Sequence, residues 1–382
     1  MSTFGGRAKW PLRLLLVAAS LLLVFLGLEA AMRVASPGQV APSFRALFMP
    51  DDRIGYRPRP GASGHYKTPE FETTIAINSA GVRDDRELGA KAPGEFRIVV
   101  LGDSMVMAVQ VRIEDTFVRR LEDRLNASGG PRVRVINAGV QGYGTVEQAL
   151  FLRYVASAFE PDLVLLTVFV GNDAAESAAA EQMLEPRDRV ADSSAVPAAA
   201  PEPQGSRTPL WLRRLARRSA FLQYVRLRVL AAAGPAGPLP LRERGVLSYA
   251  VEPPPEILRG FEVSRNAARR ITEEAAVMGA RTAVLFLPAR FQLVEKDFAD
   301  LSVETRKEGV RLDRDGATRR FRAAYAELEI PQLDLLEQLR RKSDPAALYF
   351  EQNIHLSARG HAEVAAAIES FLRSEQLVTG PH

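Results

Sequence analysis

The chain of 382 residues contains no cysteine. That excludes a disulfide framework, a zinc–thiolate site and a cysteine nucleophile. Histidine is scarce too, with four in all: His65, His355, His361 and His382. Any catalytic histidine must be one of these. No single charge sign dominates, since 50 Lys and Arg against 46 Asp and Glu leave a formal +4. So small an excess gives no electrostatic argument for a nucleic-acid partner. Internal repeats and a Gly-rich phosphate loop are lacking, and two histidines near one end without paired ligands are too few for a metal site. What is present is a globular composition, 47% hydrophobic and 25% charged, with 27 Gly and 25 Pro. That excludes a wholly disordered, collagen-like or coiled-coil chain. The length suits one larger α/β domain with appendages, or two domains.

One long apolar run lies near the start. Leu14 to Leu28 is uncharged, and extension to Met32 gives a segment long enough for a hydrocarbon core of about 30 Å. Arg7, Lys9 and Arg13 precede it. The pattern predicts a short cytoplasmic tail over 1–13 and a single-pass signal-anchor over 14–32, with the remaining chain outside the cytoplasm. The competing readings are a cleaved signal peptide, for which Leu28-Glu29-Ala30 is a poor site, and a buried helix.

Residues 33–94, rich in Pro, Gly and Arg, read as a linker with one short strand at Thr73–Ile77 and a turn at Asn78–Gly81. From residue 95 the pattern changes. Near-continuous apolar runs at Arg97–Leu101, Val133–Asn137, Asp162–Val170, Thr282–Leu287 and Ile330–Leu333 alternate with helical segments at Glu114–Leu125, Thr145–Ser157, Phe261–Met278 and Ala362–Arg373. This predicts an α/β domain over 95–374, with a central parallel sheet covered on both faces. Residues 186–255 interrupt it. They begin with an Ala, Pro, Ser and acidic stretch, and then Leu210–Leu230 carries leucine and valine on one side and arginine mainly on the other. That segment reads as an insertion helix packed on the domain, a membrane-surface helix or a lid. Residues 375–382 read as a tail.

Ligands of open α/β sheets bind beyond the carboxyl ends of the strands. Three polar-glycine blocks stand at such positions, Gly102-Asp103-Ser104, Gly139 to Gly144 and Gly171-Asn172-Asp173, and a fourth block, Asn353-Ile354-His355-Leu356, comes late and precedes the closing helix. One serine, two sets of amide donors and one histidine are the parts required for acyl transfer. The serine needs a base to take its proton, and the developing oxyanion needs preorganised N–H donors.

In order and spacing these blocks resemble the SGNH, or GDSL-type, hydrolases, over roughly residues 96–374. The run Ile77-Asn78-Ser79-Ala80-Gly81-Val82-Arg83 also resembles the preamble of membrane-anchored bacterial members. The resemblance implies a three-layer α/β/α, flavodoxin-like domain behind the transmembrane helix. Ser104 would be the nucleophile and His355 its general base. The oxyanion hole would combine the N–H of Ser104, the N–H of Gly142 and the side-chain amide of Asn172. No cofactor or metal is implied. Asp173 is expected to be structural, and His361 to be a capping or core residue.

Three positions depart from the family pattern. Asn353 stands where the family usually places the triad aspartate, Ala108 replaces a glycine common four residues after the serine, and Ser357 replaces an asparagine common two residues after the histidine. Glu351, Asp344 or a backbone carbonyl could orient His355 instead. The expected activity is serine-dependent ester hydrolysis or acyl transfer, on an acylated envelope or secreted polysaccharide at the outer, periplasmic side of the cytoplasmic membrane. The alternatives are a degenerate domain that serves as a carbohydrate-binding or assembly subunit, and a lipid esterase at the membrane surface.

Overall fold

The computed structural model describes residues 9–35, 44–127, 130–184 and 245–378. They belong to two compact units, one holding the N-terminal helix and the other beginning at Phe44. The N-terminal helix, Lys9–Ala35, has 27 residues, or about 40 Å at the usual rise. The side chains of Leu14, Ala18 and Leu21 lie outside the described set, and among the described residues no helix is long and apolar enough to cross a membrane. The transmembrane expectation is therefore not shown by the fold. The arginine-rich segment Leu210–Leu230 also lies outside the described residues.

The larger unit is built on a five-stranded parallel sheet. Its strands are β5 (Glu95–Gly102), β6 (Arg132–Gly139), β7 (Leu163–Phe169), β8 (Arg281–Leu287) and β9 (Gln332–Asp334), in the order β6-β5-β7-β8-β9. The apolar runs become strands because both of their faces are covered: Ile98, Val99, Val100 and Leu101 of β5 have no exposed surface, and β7 is buried throughout. Burial of each such side chain is worth about 1.5–3 kcal/mol, which sets the register. The chain turns one way from β5 to β6 and the other way from β6 through β7 to β9. Right-handed crossovers therefore put the intervening helices on opposite faces. Accordingly Phe117–Ala127 packs with the closing helix Ala358–Ser374, while Thr145–Tyr154 and Asp173–Ala180 pack with the long helix Pro255–Val277. The order reverses at β5 and β7, and that reversal fixes where a ligand crevice opens.

The expected linker is the main correction. Residues 44–87 form two antiparallel hairpins, β1 (Phe48–Asp51) with β2 (Gly55–Pro58), and β3 (Ser63–Lys67) with β4 (Glu72–Ala76). They belong to the same compact unit as the sheet. The reason is visible in the packing: Ile75 and Ile77 are buried with Leu47, Met107 and Val109 in a small second core. The expected tail is partly anchored as well, since Leu377 is buried and the Arg281 guanidinium donates to the carbonyls of Gln376 and Leu377.

Ser357, two residues after His355, caps the closing helix. Ser357 Oγ accepts from the Gly360 N–H at 3.2 Å and donates to the Ala347 carbonyl at 2.6 Å. Loss of such a cap typically costs about 0.5–2 kcal/mol. Ser357→Ala is expected to lower unfolding stability by about that amount, measured by urea denaturation. An unchanged midpoint would show that another group caps the helix.

Candidate active site

The site forms at the carboxyl ends of β5 and β7. β5 runs directly into a short helix, Ser104–Met107, whose first residue is the candidate nucleophile. Asp103 caps this helix through its Oδ1, which accepts the Met105 N–H at 2.8 Å. The turn carries Ser104 to a position where its Oγ lies 2.8 Å from His355 Nε2. His355 is 8% exposed and Ser104 6%, so the pair is largely desolvated.

Asn353 completes the line. Its Oδ1 lies 2.5 Å from His355 Nδ1 and also accepts the His355 N–H at 3.1 Å. An amide oxygen can only accept, so Nδ1 carries the proton and Nε2 is left as the acceptor. That tautomer is the one a serine base needs. Neither of the other acids considered reaches the ring. Glu351 contributes its carbonyl to Arg290, and Asp344 caps the Ala347 N–H and pairs with Arg359. Burial depresses the His355 pKa to about 4, because a desolvated ring resists charging. The base is therefore neutral and ready at ordinary pH.

The second block is wired to the first. The Val140 N–H donates to the Gly102 carbonyl at 3.0 Å, and the Asn137 amide donates to the Val106 carbonyl at 2.8 Å. Gly139 packs so closely that an added Cβ would lie 2.4 Å from the Met107 nitrogen. Val140 to Tyr143 then form a turn closed by Tyr143 N–H to Val140 C=O at 3.2 Å, with Gly142 at φ +74°. A positive φ at the third position marks a type II turn, which favours glycine there. Gly142 is exposed at the rim.

Asn172 follows β7. Its Nδ2 donates to Glu176 Oε1 at 2.9 Å, and its Oδ1 is buried without a partner among the described residues. The amide has two hydrogens, so one remains after the Glu176 bond. Asp173, as expected, is structural: its Oδ2 accepts the Phe169 N–H. Burial raises the pKa of Asp103 to about 6 and that of Glu147 to about 7, and burial reinforced by repulsion from neighbouring carboxylates raises Asp173 and Glu176. Asp173 and Glu176 are thereby biased toward the protonated form, which opposes a nearby negative charge less than a carboxylate does.

The other histidines take lesser parts. His361 is buried, stacks on Phe117 and accepts that residue's N–H, while His65 pairs with Glu72 in the β3–β4 hairpin. His382 lies outside the described residues. Among the described residues no group of three or more His, Asp or Glu side chains is placed to hold a metal ion.

Sequence reading missed the residues that reach the site from the hairpins. Arg83 is buried, and its guanidinium donates to the carbonyls of Met107, Ala108 and Val111 just past the nucleophile helix. Those bonds hold Ala108 in a left-handed conformation, φ +52°, which glycine would adopt without strain. Glu70 Oε1 accepts the Gln352 N–H at 2.8 Å, and Phe71 packs on Phe350. The Tyr56 hydroxyl donates to the Gln141 carbonyl at 2.6 Å. The only sequence signal for any of these was Arg83 at the end of the Ile77–Arg83 run.

No curated protein matches the chain by sequence. Among solved structures, TesA is 14% identical with a TM-score of 0.39, covering 73% of this chain and 98% of its own. A lipase/acylhydrolase from Enterococcus faecalis has the same identity and score, covering 73% and 96%. The esterase EstA from Pseudoalteromonas sp. is 12% identical with a TM-score of 0.38, covering 73% and 98%. The GDSL-like lipase/acylhydrolase family matches residues 100–363, which include the nucleophile turn, the glycine turn, Asn172 and the histidine block. With that match over more than half its length, the chain belongs to the GDSL-like lipase/acylhydrolase family and is an ester-hydrolysing enzyme.

Proposed function

We propose that the chain is a serine-dependent esterase or acyltransferase whose substrate is an acylated envelope or secreted polysaccharide. The observation that carries the chemistry is the continuous line Ser104 Oγ, His355 Nε2, His355 Nδ1, Asn353 Oδ1. In this reading His355 Nε2 takes the Ser104 proton as Oγ attacks the acyl carbon. The N–H groups of Ser104 and Gly142 and the Asn172 amide receive the oxyanion. The proton passes to the departing alcohol, leaving acyl-Ser104. Water or a second alcohol then attacks, giving hydrolysis or transfer, and Oγ regains a proton. The polysaccharide class rests on the resemblance of the Ile77–Arg83 run to membrane-anchored members.

In the same reading Lys9–Ala35 is an anchor that holds the domain on the outer side of the cytoplasmic membrane. Support comes from the uncharged run Leu14–Leu28, its basic flank and a helix of about 40 Å. A reporter that works only in the cytoplasm, fused after His382, is expected to be silent. Strong reporter signal would reverse the orientation.

Ser104→Ala is expected to abolish hydrolysis of short acyl esters and labelling by a fluorophosphonate, with stability changed by no more than about 1 kcal/mol. Equal activity in the two proteins would remove Ser104 from the mechanism.

The neutral Asn353 favours a second reading, a domain that binds acylated glycans with little turnover. An amide fixes the histidine tautomer but supplies no charge for the imidazolium; the corresponding loss in a serine protease triad is about 10⁴-fold. Asn353→Asp keeps the shape and adds the anion. If the enzyme is limited by this residue, turnover is expected to rise, by less than about 10⁴-fold. The sign of the pH effect follows from the ring. The wild-type base is lost as pH falls through about 4. An adjacent anion favours the charged ring and raises its pKa, so the acidic limb of the rate profile should move upward, by up to about 1–3 units. An unchanged rate and an unchanged limb would reject a weakened triad. Absence of activity in both proteins would favour the binding reading.

A further inference from the structure

The chemistry proposed for Ser104 needs the Gly142 N–H to face the reacting carbonyl, and a turn of this kind has two ways to stand. Types I and II share the same outer hydrogen bond and differ by a rotation of the central peptide through roughly half a turn. Here that peptide joins Gln141 to Gly142. Every described peptide bond is trans, so the Gln141 C=O and the Gly142 N–H point in opposite directions. Whatever holds the carbonyl on one side thereby presents the N–H on the other. Glycine at the third position adopts either form at little cost, so the turn sequence alone does not choose.

The choice is made from outside the family-matched region. Tyr56, on β2, donates its hydroxyl to the Gln141 carbonyl at 2.6 Å. Its own backbone carbonyl accepts the Tyr143 hydroxyl, so the tyrosine and the turn are tied at both ends. The ring is wedged edge-on between Phe48, with centroids 5.8 Å apart, and Tyr143, at 5.4 Å. A Cβ on Gly142 would lie 3.0 Å from the Tyr56 hydroxyl oxygen, so the hydroxyl occupies the space a side chain at 142 would need. Burial raises the Tyr56 pKa, which keeps the group a donor through the alkaline range.

We propose that Tyr56 is a positioning residue for the oxyanion hole: its hydroxyl locks the Gln141–Gly142 peptide in the type II orientation and so aims the Gly142 N–H at the oxyanion. The inference rests on the serine-esterase reading. It goes beyond it by placing a determinant of transition-state stabilisation in the N-terminal hairpins. Such a residue does not touch substrate. Its removal should leave ground-state binding alone and reduce only the stabilisation gained as the oxyanion forms.

The test compares the full-length wild type with Tyr56→Phe, using 4-nitrophenyl acetate, together with crystal structures of both proteins. The ring and its edge contacts remain in the variant, so packing is conserved. Expected is a fall in kcat of about tenfold or more, bounded by the roughly 10²–10³-fold cost of losing an oxyanion-hole donor outright. KM should stay within about twofold, and the peptide should be flipped or split between two orientations. Phosphonylation by a fluorophosphonate should slow in proportion, since its oxyanion uses the same donors. Wild-type kcat with an unflipped peptide would overturn the proposal and leave the esterase reading standing. A changed KM with an unflipped peptide would assign Tyr56 to packing and also overturn it. If the wild type neither hydrolyses the ester nor is labelled, the esterase reading fails. The peptide orientation in the variant then decides alone, with a flip supporting the lock and no flip refuting it.

Discussion

The working part of this molecule depends on one hydrogen bond between residues 251 positions apart, from the Ser104 hydroxyl to His355 Nε2. It cannot form unless both chain ends of the domain are fixed to a fraction of an ångström. The sheet supplies the first constraint. β5 delivers Ser104 at the point where the strand order reverses, and the buried strand leaves no room for slippage. The second constraint is on the ring. Asn353 accepts from both the backbone and the side chain of His355, which fixes the turn and the tautomer at once. A neutral amide thus does half of what a carboxylate does: it orients the imidazole but does not offset the cost of charging it.

That missing half explains the electrostatic character of the site. A buried histidine with no anion beside it titrates near pH 4, so its protonated form is an expensive intermediate. Acyl chemistry then leans more heavily on what stabilises the oxyanion. Three buried carboxyl groups neighbour the proposed donors: Asp103 precedes Ser104, Asp173 follows Asn172, and Glu176 accepts from the Asn172 amide. Burial raises the pKa values of all three, with repulsion from Asp103 adding to the shift of Asp173 and Glu176, and a protonated carboxyl exerts far less repulsion on a nearby anion than an ionised one. The site accordingly combines an uncharged base with carboxyl groups biased toward the neutral state.

Much of this was legible in the sequence because it is local. Gly102-Asp103-Ser104 follows an apolar run that can only be a buried strand, and the block Asn353 to His355 carries its own hydrogen bonds. The strands β5 to β8 were readable for the same reason. The hairpins were not. β1 contains Pro50, β3 is half polar with His65 and Lys67 paired to Glu72, and the alternation that marks a strand survives only around Thr73–Ile77. Composition alone therefore made 33–94 look like a linker. Tyr56 gave no sign at all, since its role depends on a carbonyl 85 positions away. The neutral Asn353 was visible as a departure, but its sufficiency as an orienting group was not, because that depends on which acceptor reaches Nδ1 in three dimensions.

The hairpins also explain how a site whose histidine faces an amide rather than a carboxylate is held in order. The family match begins at residue 100, after both hairpins, yet three of the four blocks are braced by residues that precede it. Arg83 holds the carbonyls behind the nucleophile helix, Tyr56 holds the glycine turn, and Glu70 with Phe71 holds the histidine loop. Arg83, Tyr56 and Glu70 bind main chain, so they constrain where a catalytic group points without adding a group that reacts, while Phe71 packs on the Phe350 ring. Main-chain anchoring of this kind is indifferent to the side chains of the blocks themselves. The residues that perform the chemistry and the residues that align it therefore lie in separate stretches of sequence. Arg83 carries the strictest demand of the three: buried, with its pKa lowered to about 10, it remains charged at neutral pH and must keep its carbonyl partners. Loss of those carbonyls would strand a buried cation, a penalty of several kcal/mol. That penalty couples the second core under the hairpins to the geometry of Ser104, so the hairpins and the nucleophile turn stabilise one another.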